Sequence, residues 1–221
     1  VEMHPIDMIA HRMTSSLFID ELRVPDSTRI GPIGEGLPCL MKGFVIRRVL
    51  AAAEAIGNAR FLLDQSVEYA KTRKTFDQLI GVNQGIQYPL VQAYAKVEAA
   101  DLMRWDVLDL VDRGQDAVPR SAMAQVLASE AAWETTRAAL TTFGGWGLSS
   151  EYHVELKLRD GPVYVFNNLL MYLIADRALG LPKKGELKRA RSPARMRRAG
   201  RRRAGHRSSN RPAPASPRRR T

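Results

Sequence analysis

The segment "GFVIRRVLAAAEAIGNARFLLDQSVEYA" (residues 43–70) has the clearest helical periodicity in the chain. Its main apolar residues are separated by three or four positions, which places them on one face of an α-helix. These residues are Val45, Val49, Ala52, Ile56, Ala59, Leu63, Val67 and Ala70. The segment predicts a long amphipathic helix that begins at Gly43 and buries this face against other helices.

Three later segments repeat this pattern. A second helix is predicted from about Gln84 to Val111, and a third from Pro119, a favoured residue in a first helical turn, to the glycine pair at 144–145. A fourth is predicted at 163–179, before Gly180 and Pro182. Long amphipathic helices with short links favour an antiparallel bundle. The sequence therefore predicts a mainly α protein with a four-helix bundle at residues 43–182.

Residues 1–42 have a different character, because prolines interrupt them. "SLFIDELRVP" (residues 16–25) alternates in part and predicts a strand that ends at Pro25, followed by the turn-rich "DSTRIGPIGEG" (residues 26–36). A segment of this length cannot bury a core of its own. We interpret residues 1–42 as the last strands of a sheet whose start is missing.

The positive charge is concentrated at the C-terminus. Residues 183–221 contain 16 Lys and Arg and one acid, whereas residues 1–182 contain 18 Lys and Arg and 22 Asp and Glu, a net charge of −4. The tail has few apolar residues, which predicts disorder. Three interpretations remain open: a nucleic-acid-binding tail without sequence preference, a tether to an anionic membrane, or an out-of-frame extension without function.

Several classes of protein are disfavoured. Cys39 is the only cysteine, so no internal disulfide can form. The sequence shows no secretory signal and no apolar run of membrane-spanning length, which predicts a cytoplasmic protein. The four histidines lack ligand spacing, so we expect no metal site. Phosphate-loop, dinucleotide-fingerprint and nucleophile-elbow motifs are also missing.

Four stretches carry a family resemblance. They are "LFIDELRVPDSTRIGPIGEG" (17–36), "YAKTRKTFDQLIGVNQGIQYPLVQAYAKVEAADLM" (69–103), "TTFGGWGLSSEYHVELKLRD" (141–160) and "NNLLMYLIADRALGLPK" (167–183). Together they resemble the C-terminal part of acyl-CoA dehydrogenases over residues 14–183. The resemblance implies that residues 1–42 are the end of a middle β-domain and 43–182 the C-terminal four-helix bundle. It also implies a flavoprotein oxidoreductase of fatty acid metabolism.

The resemblance implies a role for FAD and for specific residues. In the family, a glutamate removes the α-proton of acyl-CoA while the β-hydrogen leaves as hydride to FAD, giving trans-2-enoyl-CoA. Arg73 matches an arginine that reaches the FAD diphosphate of a neighbouring subunit, and Phe76 matches an aromatic residue packed on the cofactor. Gln84 matches a further cofactor contact, and Gly144 and Gly145 match a backbone approach to its adenine-diphosphate end. Such contacts imply a dimer or a dimer of dimers.

The catalytic base of the family does not carry over. Of its two known positions, one falls at Asn167–Asn168 and the other at Arg47, beside Arg48, which matches a family arginine. Arginine cannot accept a proton at neutral pH. Glu54 is about 10 Å further along the helix axis. The isolated chain is therefore expected to be inactive and, without the β-domain loops that support the flavin ring, to hold FAD weakly or not at all.

Three functional hypotheses follow. The first is a truncated acyl-CoA dehydrogenase-family flavoprotein that is inactive alone. The second is a non-catalytic subunit that pairs with a full-length acyl-CoA dehydrogenase and contributes its cofactor contacts. The third, of another class, is a basic-tailed helical protein that binds nucleic acid or an anionic membrane through residues 183–221.

Overall fold

The computed structural model describes residues 1–10 and 14–182. The chain begins with an antiparallel hairpin of β1 (Glu2–Ile6) and β2 (Thr14–Phe18). Three long helices follow: α1 (Gly36–Thr72), α2 (Gln84–Asp112) and α3 (Val118–Phe143). A second, very short hairpin of β3 (Lys74–Thr75) and β4 (Gln78–Leu79) joins α1 to α2. The predicted mainly α architecture is confirmed.

Helix α1 begins at Gly36, so the predicted start at Gly43 is wrong. Pro38 lies in the first turn, where its missing N–H costs nothing because these amides have no partner inside the helix. Position 42/43, where the sequence suggested a domain boundary, lies inside this helix. Arg47 and Arg48 consequently lie well inside α1. The positive end of the helix dipole, which disfavours cations in the first turn, therefore does not destabilise them.

The prediction of one helix at 163–179 is correct only in part, because three short helices follow α3. They are α4 (Val154–Asp160), α5 (Pro162–Val165) and α6 (Asn168–Arg177), and α6 lies within the predicted range. The break between α5 and α6 falls at Phe166 and Asn167, and asparagine competes poorly for helical positions because its side chain favours turns. Helix α6 packs on α3 through Leu170 and Leu173, and so takes the fourth position of the bundle.

The strand predicted to end at Pro25 ends at Phe18 instead. Phe18 pairs with Glu2 as the last pair of the ladder. Strand β1 was not predicted. The side chains on both faces of this hairpin are exposed, with the exception of Ser15, which is partly buried.

The core lies between α1, α2 and α3. It is built mainly from small residues, with Ala52, Ala93 and Ala128 each at most 1% exposed where the helices approach one another. The predicted apolar face of α1 is buried apart from Val67, which is 37% exposed. Small side chains allow the helix backbones to pack closely, so the alanine-rich sequence of α3 suits its central position.

An ion-pair network joins the outer faces of α1 and α2. The Arg60 guanidinium lies 2.9 Å from a Glu98 oxygen and 3.0 Å from an Asp101 oxygen, and Arg104 lies 2.7 Å from Asp101. Burial alone would raise the pKa of Asp101, but hydrogen bonds and charge from Arg104 and Arg60 outweigh it, so the pKa is lowered. The network links α1 to α2 through Arg60.

No helix within residues 1–10 and 14–182 is both long and apolar enough to cross a membrane. The predicted basic tail at 183–221 lies outside the described residues.

Candidate functional site

One end of the bundle collects residues that are far apart in the sequence. Helices α1 and α3 finish at this end and α2 starts there, because α2 runs antiparallel to both. The ring of Tyr69, near the end of α1, stacks on that of Phe143, the last residue of α3, with centroids 4.3 Å apart. We call the surface formed by residues 73–84 and 144–145 the hairpin end of the bundle.

An aromatic cluster supports the hairpin end from below. The Tyr152 ring lies 5.8 Å from Tyr69, 5.0 Å from Phe143 and 6.2 Å from Trp146, measured between centroids. Tilted and edge-to-face contacts of this kind are favourable. The cluster attaches the chain that follows α3 to the end of α1, and so places the glycine pair near the end of α1.

The tip of the β3–β4 hairpin has an unusual conformation. Phe76 and Asp77 both have positive φ angles, of 50° and 61°. The turn favours asparagine and glycine here, and a bulky side chain pays a steric cost. The Phe76 side chain is also fully exposed, at 101%. An aromatic ring held in a disfavoured conformation without packing is typical of a binding surface.

Arg73 caps the C-terminus of α1, and Gln84 begins α2. The Arg73 N–H donates to the Tyr69 carbonyl at 2.8 Å, and its own carbonyl accepts from the Ile80 N–H at 3.0 Å, so its backbone is fixed. Its side chain is exposed and has no hydrogen-bond or ion-pair partner among residues 1–10 and 14–182. Gln84 is exposed at a helix N-terminus, where free N–H groups favour an anion.

Gly144 ends α3 with φ 58° and ψ −135°, a conformation that other residues rarely adopt. A Cβ atom added at Gly144 or Gly145 would meet nothing within 4 Å, so the backbone there is open to a ligand. The hairpin end thus combines an exposed guanidinium, an exposed aromatic ring and accessible glycine backbone. These groups can bind a phosphate and pack against an organic ring. All of the cofactor-binding residues expected from the sequence lie at this end.

The positions expected to hold a base lie elsewhere. Arg47 is exposed on α1, and the buried Arg48 donates from Nη1 to the Ser121 Oγ of α3 at 3.4 Å. Burial lowers the pKa of Arg48, and repulsion by Arg47 lowers it further. Asn168 begins α6, close in sequence to Leu170, which packs against Ala122.

Both base positions therefore lie towards the N-terminal half of α3. Ser121 and Gly144 are separated by about 34 Å along the axis of this helix. The candidate cofactor contacts and the base positions are at opposite ends of the bundle.

The sequence interpretation missed two features of these sites. One is the strained turn at Phe76, which no glycine or asparagine signals. The other is Phe44, whose ring contacts the guanidinium groups of both Arg47 and Arg48. The second could have been found, because residues three and four positions apart share one face of a helix.

Comparison with known proteins connects this geometry to a family. Residues 34–166 match the family model Acyl-CoA dehydrogenase, C-terminal domain. The chain is 32% identical over 187 residues to acyl-CoA dehydrogenase FadE12 of Mycobacterium tuberculosis, covering 81% of this chain and 48% of that protein. It is 33% identical over 151 residues to the caffeyl-CoA reductase-Etf complex subunit CarC of Acetobacterium woodii, covering 68% of this chain and 40% of that protein.

Solved structures show the same fold. Butyryl-CoA dehydrogenase from Megasphaera elsdenii is 26% identical with a TM-score of 0.75, covering 79% of this chain and 47% of that one. PigA, solved with FAD and proline, is 28% identical with a TM-score of 0.77, covering 81% and 49%. The chain spans about half the length of the curated relatives it matches. With the family's C-terminal domain matched in sequence and its helical fold present, this chain belongs to the acyl-CoA dehydrogenase family.

Proposed function

We propose that this chain supplies the helical half of an FAD-dependent acyl-CoA oxidoreductase, and that it does not oxidise acyl-CoA by itself. The observation that carries the proposal is the separation of the two candidate sites. The hairpin end has the groups that suit a cofactor, whereas the opposite end has no carboxylate at either base position. The proposal places the protein among the cytoplasmic flavoproteins of fatty acid metabolism.

At the hairpin end, the residues of this chain fit the diphosphate part of FAD. The Arg73 guanidinium would donate to the phosphate oxygens, since a planar fork with several donors matches them. Phe76 would pack its exposed ring against the cofactor, and Gln84 would add a polar contact from the start of α2. The backbone at Gly144 and Gly145 would approach the adenine-diphosphate end. When bound, FAD supplies the acceptor for the hydride that leaves the acyl chain.

At the opposite end, Arg47 and Asn168 occupy the two positions where the family resemblance places the base. A guanidinium remains protonated and an amide has no useful basicity, so neither can remove the α-proton of an acyl thioester. This chemistry supports an inactive isolated chain.

The distance between the two sites supports an oligomer. The base position would act beside the flavin ring of one cofactor, and the hairpin end, about 34 Å away along α3, would contact the diphosphate of another. Two copies of the fold are required for both ends to be used. The partner is either a second copy of this chain or a full-length acyl-CoA dehydrogenase subunit, to which this chain would contribute Arg73 and the glycine pair without catalysing the reaction.

The test measures FAD binding and acyl-CoA oxidation with the purified full chain. We expect no flavin absorbance after desalting, weak binding in a fluorescence titration with added FAD, and no oxidation with an artificial electron acceptor. Arg73→Ala should weaken FAD binding by about tenfold, because it removes hydrogen bonds to a charged group. Arg113→Ala, which removes an exposed arginine paired with Asp109 on α2, is the matched control.

Two results would contradict the proposal. If the purified chain retained FAD near one equivalent and Arg73→Ala bound FAD equally well, the hairpin end would have no role in cofactor binding. Steady oxidation by protein free of contaminating dehydrogenase would show that a base exists; Arg47→Glu should restore activity only where FAD is held.

A further inference from the structure

Two adjacent arginines share one aromatic ring at the end of the bundle opposite the hairpin. The guanidinium carbon of Arg47 lies 5.9 Å from the centroid of the Phe44 ring, and that of Arg48 lies 5.8 Å from it. Phe44 precedes the two arginines by three and four residues, so one turn of α1 brings all of them together. Each contact is within the range of a cation–π interaction.

The two charges lack a counter-charge. Within residues 1–10 and 14–182, neither Arg47 nor Arg48 forms an ion pair with a carboxylate. Other arginines of α1 and α2 do, since Arg60 and Arg104 pair with Asp101 and Arg113 pairs with Asp109. The two guanidinium groups also repel each other: burial lowers the pKa of Arg48, and the charge of Arg47 lowers it further.

Arg48 is the more costly of the pair, because it is only 4% exposed. Among the described residues its hydrogen-bond partner is the Ser121 Oγ, at a long 3.4 Å. That oxygen donates its own proton to the Val118 carbonyl at 2.8 Å, so it accepts from Arg48 with a lone pair. A guanidinium carries five N–H donors. A buried cation with one long hydrogen bond and a like charge beside it would gain from an anion that pairs with it.

We propose that Phe44, Arg47 and Arg48 form a binding site for an oxyanion, the carboxylate or phosphate group of a small molecule. Arg47 is exposed and provides access, while Arg48 lies beside the apolar cluster of Val45, Val49 and Val107, where a charge-assisted hydrogen bond is strengthened by low polarity. The Phe44 ring holds both guanidinium groups in place before the ligand arrives. The site does not depend on FAD binding at the hairpin end.

The test is calorimetric titration of the full chain with succinate and, separately, with inorganic phosphate, at constant low ionic strength. Arg47→Gln should weaken binding of the preferred anion by about tenfold, since it removes a charged donor from the ligand. Arg113→Gln removes the same charge from a carboxylate-paired position and should bind as the wild type does. Both variants keep the basic residues at 183–221, so any anion binding by those residues is the same in both and does not affect the comparison.

The outcomes separate the possibilities. Preference for succinate assigns the site to carboxylates, and preference for phosphate assigns it to phosphate groups. Equal affinities of the wild type and Arg47→Gln, or no binding of either anion, would overturn the proposal. Arg48→Lys keeps the charge but loses the planar fork, and should weaken binding; if it fails to fold, Arg47→Gln alone decides. Failure here would leave the Arg73 test of FAD binding unaffected.

Discussion

At the scale of single residues, the hairpin end accepts an energetic cost that folding alone does not require. Phe76 has a positive φ angle, which is sterically unfavourable for a bulky residue, and its fully exposed ring gains no hydrophobic stabilisation. Arg48 pays a different cost as a buried cation. The two residues lie at opposite ends of the bundle, in the two regions where we propose that ligands bind.

Replacing Phe76 with asparagine should therefore stabilise the fold and weaken FAD binding. Asparagine tolerates the left-handed conformation, so Phe76→Asn should raise the free energy of unfolding by about 1 kcal/mol. Urea denaturation measures this change. Val82→Asn, which replaces another exposed apolar residue just before α2, is the control and should give no such gain. A lower stability for Phe76→Asn would mean that the ring packs against the protein.

At the scale of elements, contacts between helices determine the structure after α3, which the periodicity of the sequence did not predict. The short helices after α3 depend on one close approach, because a Cβ added to Gly161 would lie 2.7 Å from the Trp133 ring of α3. Gly161 has ordinary helical φ and ψ angles, so it is needed for space and not for its backbone freedom. Gly57, inside α1, would meet nothing within 4 Å.

These two glycines predict opposite effects of the same substitution. Gly161→Ala should lower the free energy of unfolding by about 1–3 kcal/mol, because it overpacks the contact with Trp133. Gly57→Ala should raise it by about 0.5–1 kcal/mol, because alanine is the better helix former and has room. Denaturant titration of both variants checks the pair. A stabilising Gly161→Ala would show that the Trp133 ring can move away at no cost.

At the scale of the whole molecule, charge is divided along the chain. The residues up to 182 carry a net charge of −4 and those from 183 a net charge of +15, from 16 basic residues and one acid. The body has the family fold, whereas the basic segment lies beyond the matched residues 34–166. Nucleic-acid binding, the hypothesis of another class, would depend on that segment.

Truncation after Lys183 tests that hypothesis. Any binding of an arbitrary DNA duplex by the full chain should show little sequence preference and an affinity that falls steeply with salt, because counterions are released. The truncated chain should not bind, while its circular dichroism spectrum and melting temperature stay close to those of the full chain. Tight DNA binding by the truncated chain would contradict this account, and its unfolding would show that residues 184–221 support the body.

The sequence by itself determined the mainly α class, the buried face of α1 and the family, because periodicity and motifs are properties of local sequence. Only the tertiary structure decided that α1 begins at Gly36, that the last helix is broken at Asn167, and that the end of α1 at Tyr69 packs against the end of α3 at Phe143. It also revealed that the Phe44 ring lies within cation–π range of Arg47 and Arg48. These features depend on which helix ends pack together and which side chains remain unpaired, and such contacts join residues whose separation in sequence carries no periodic signal.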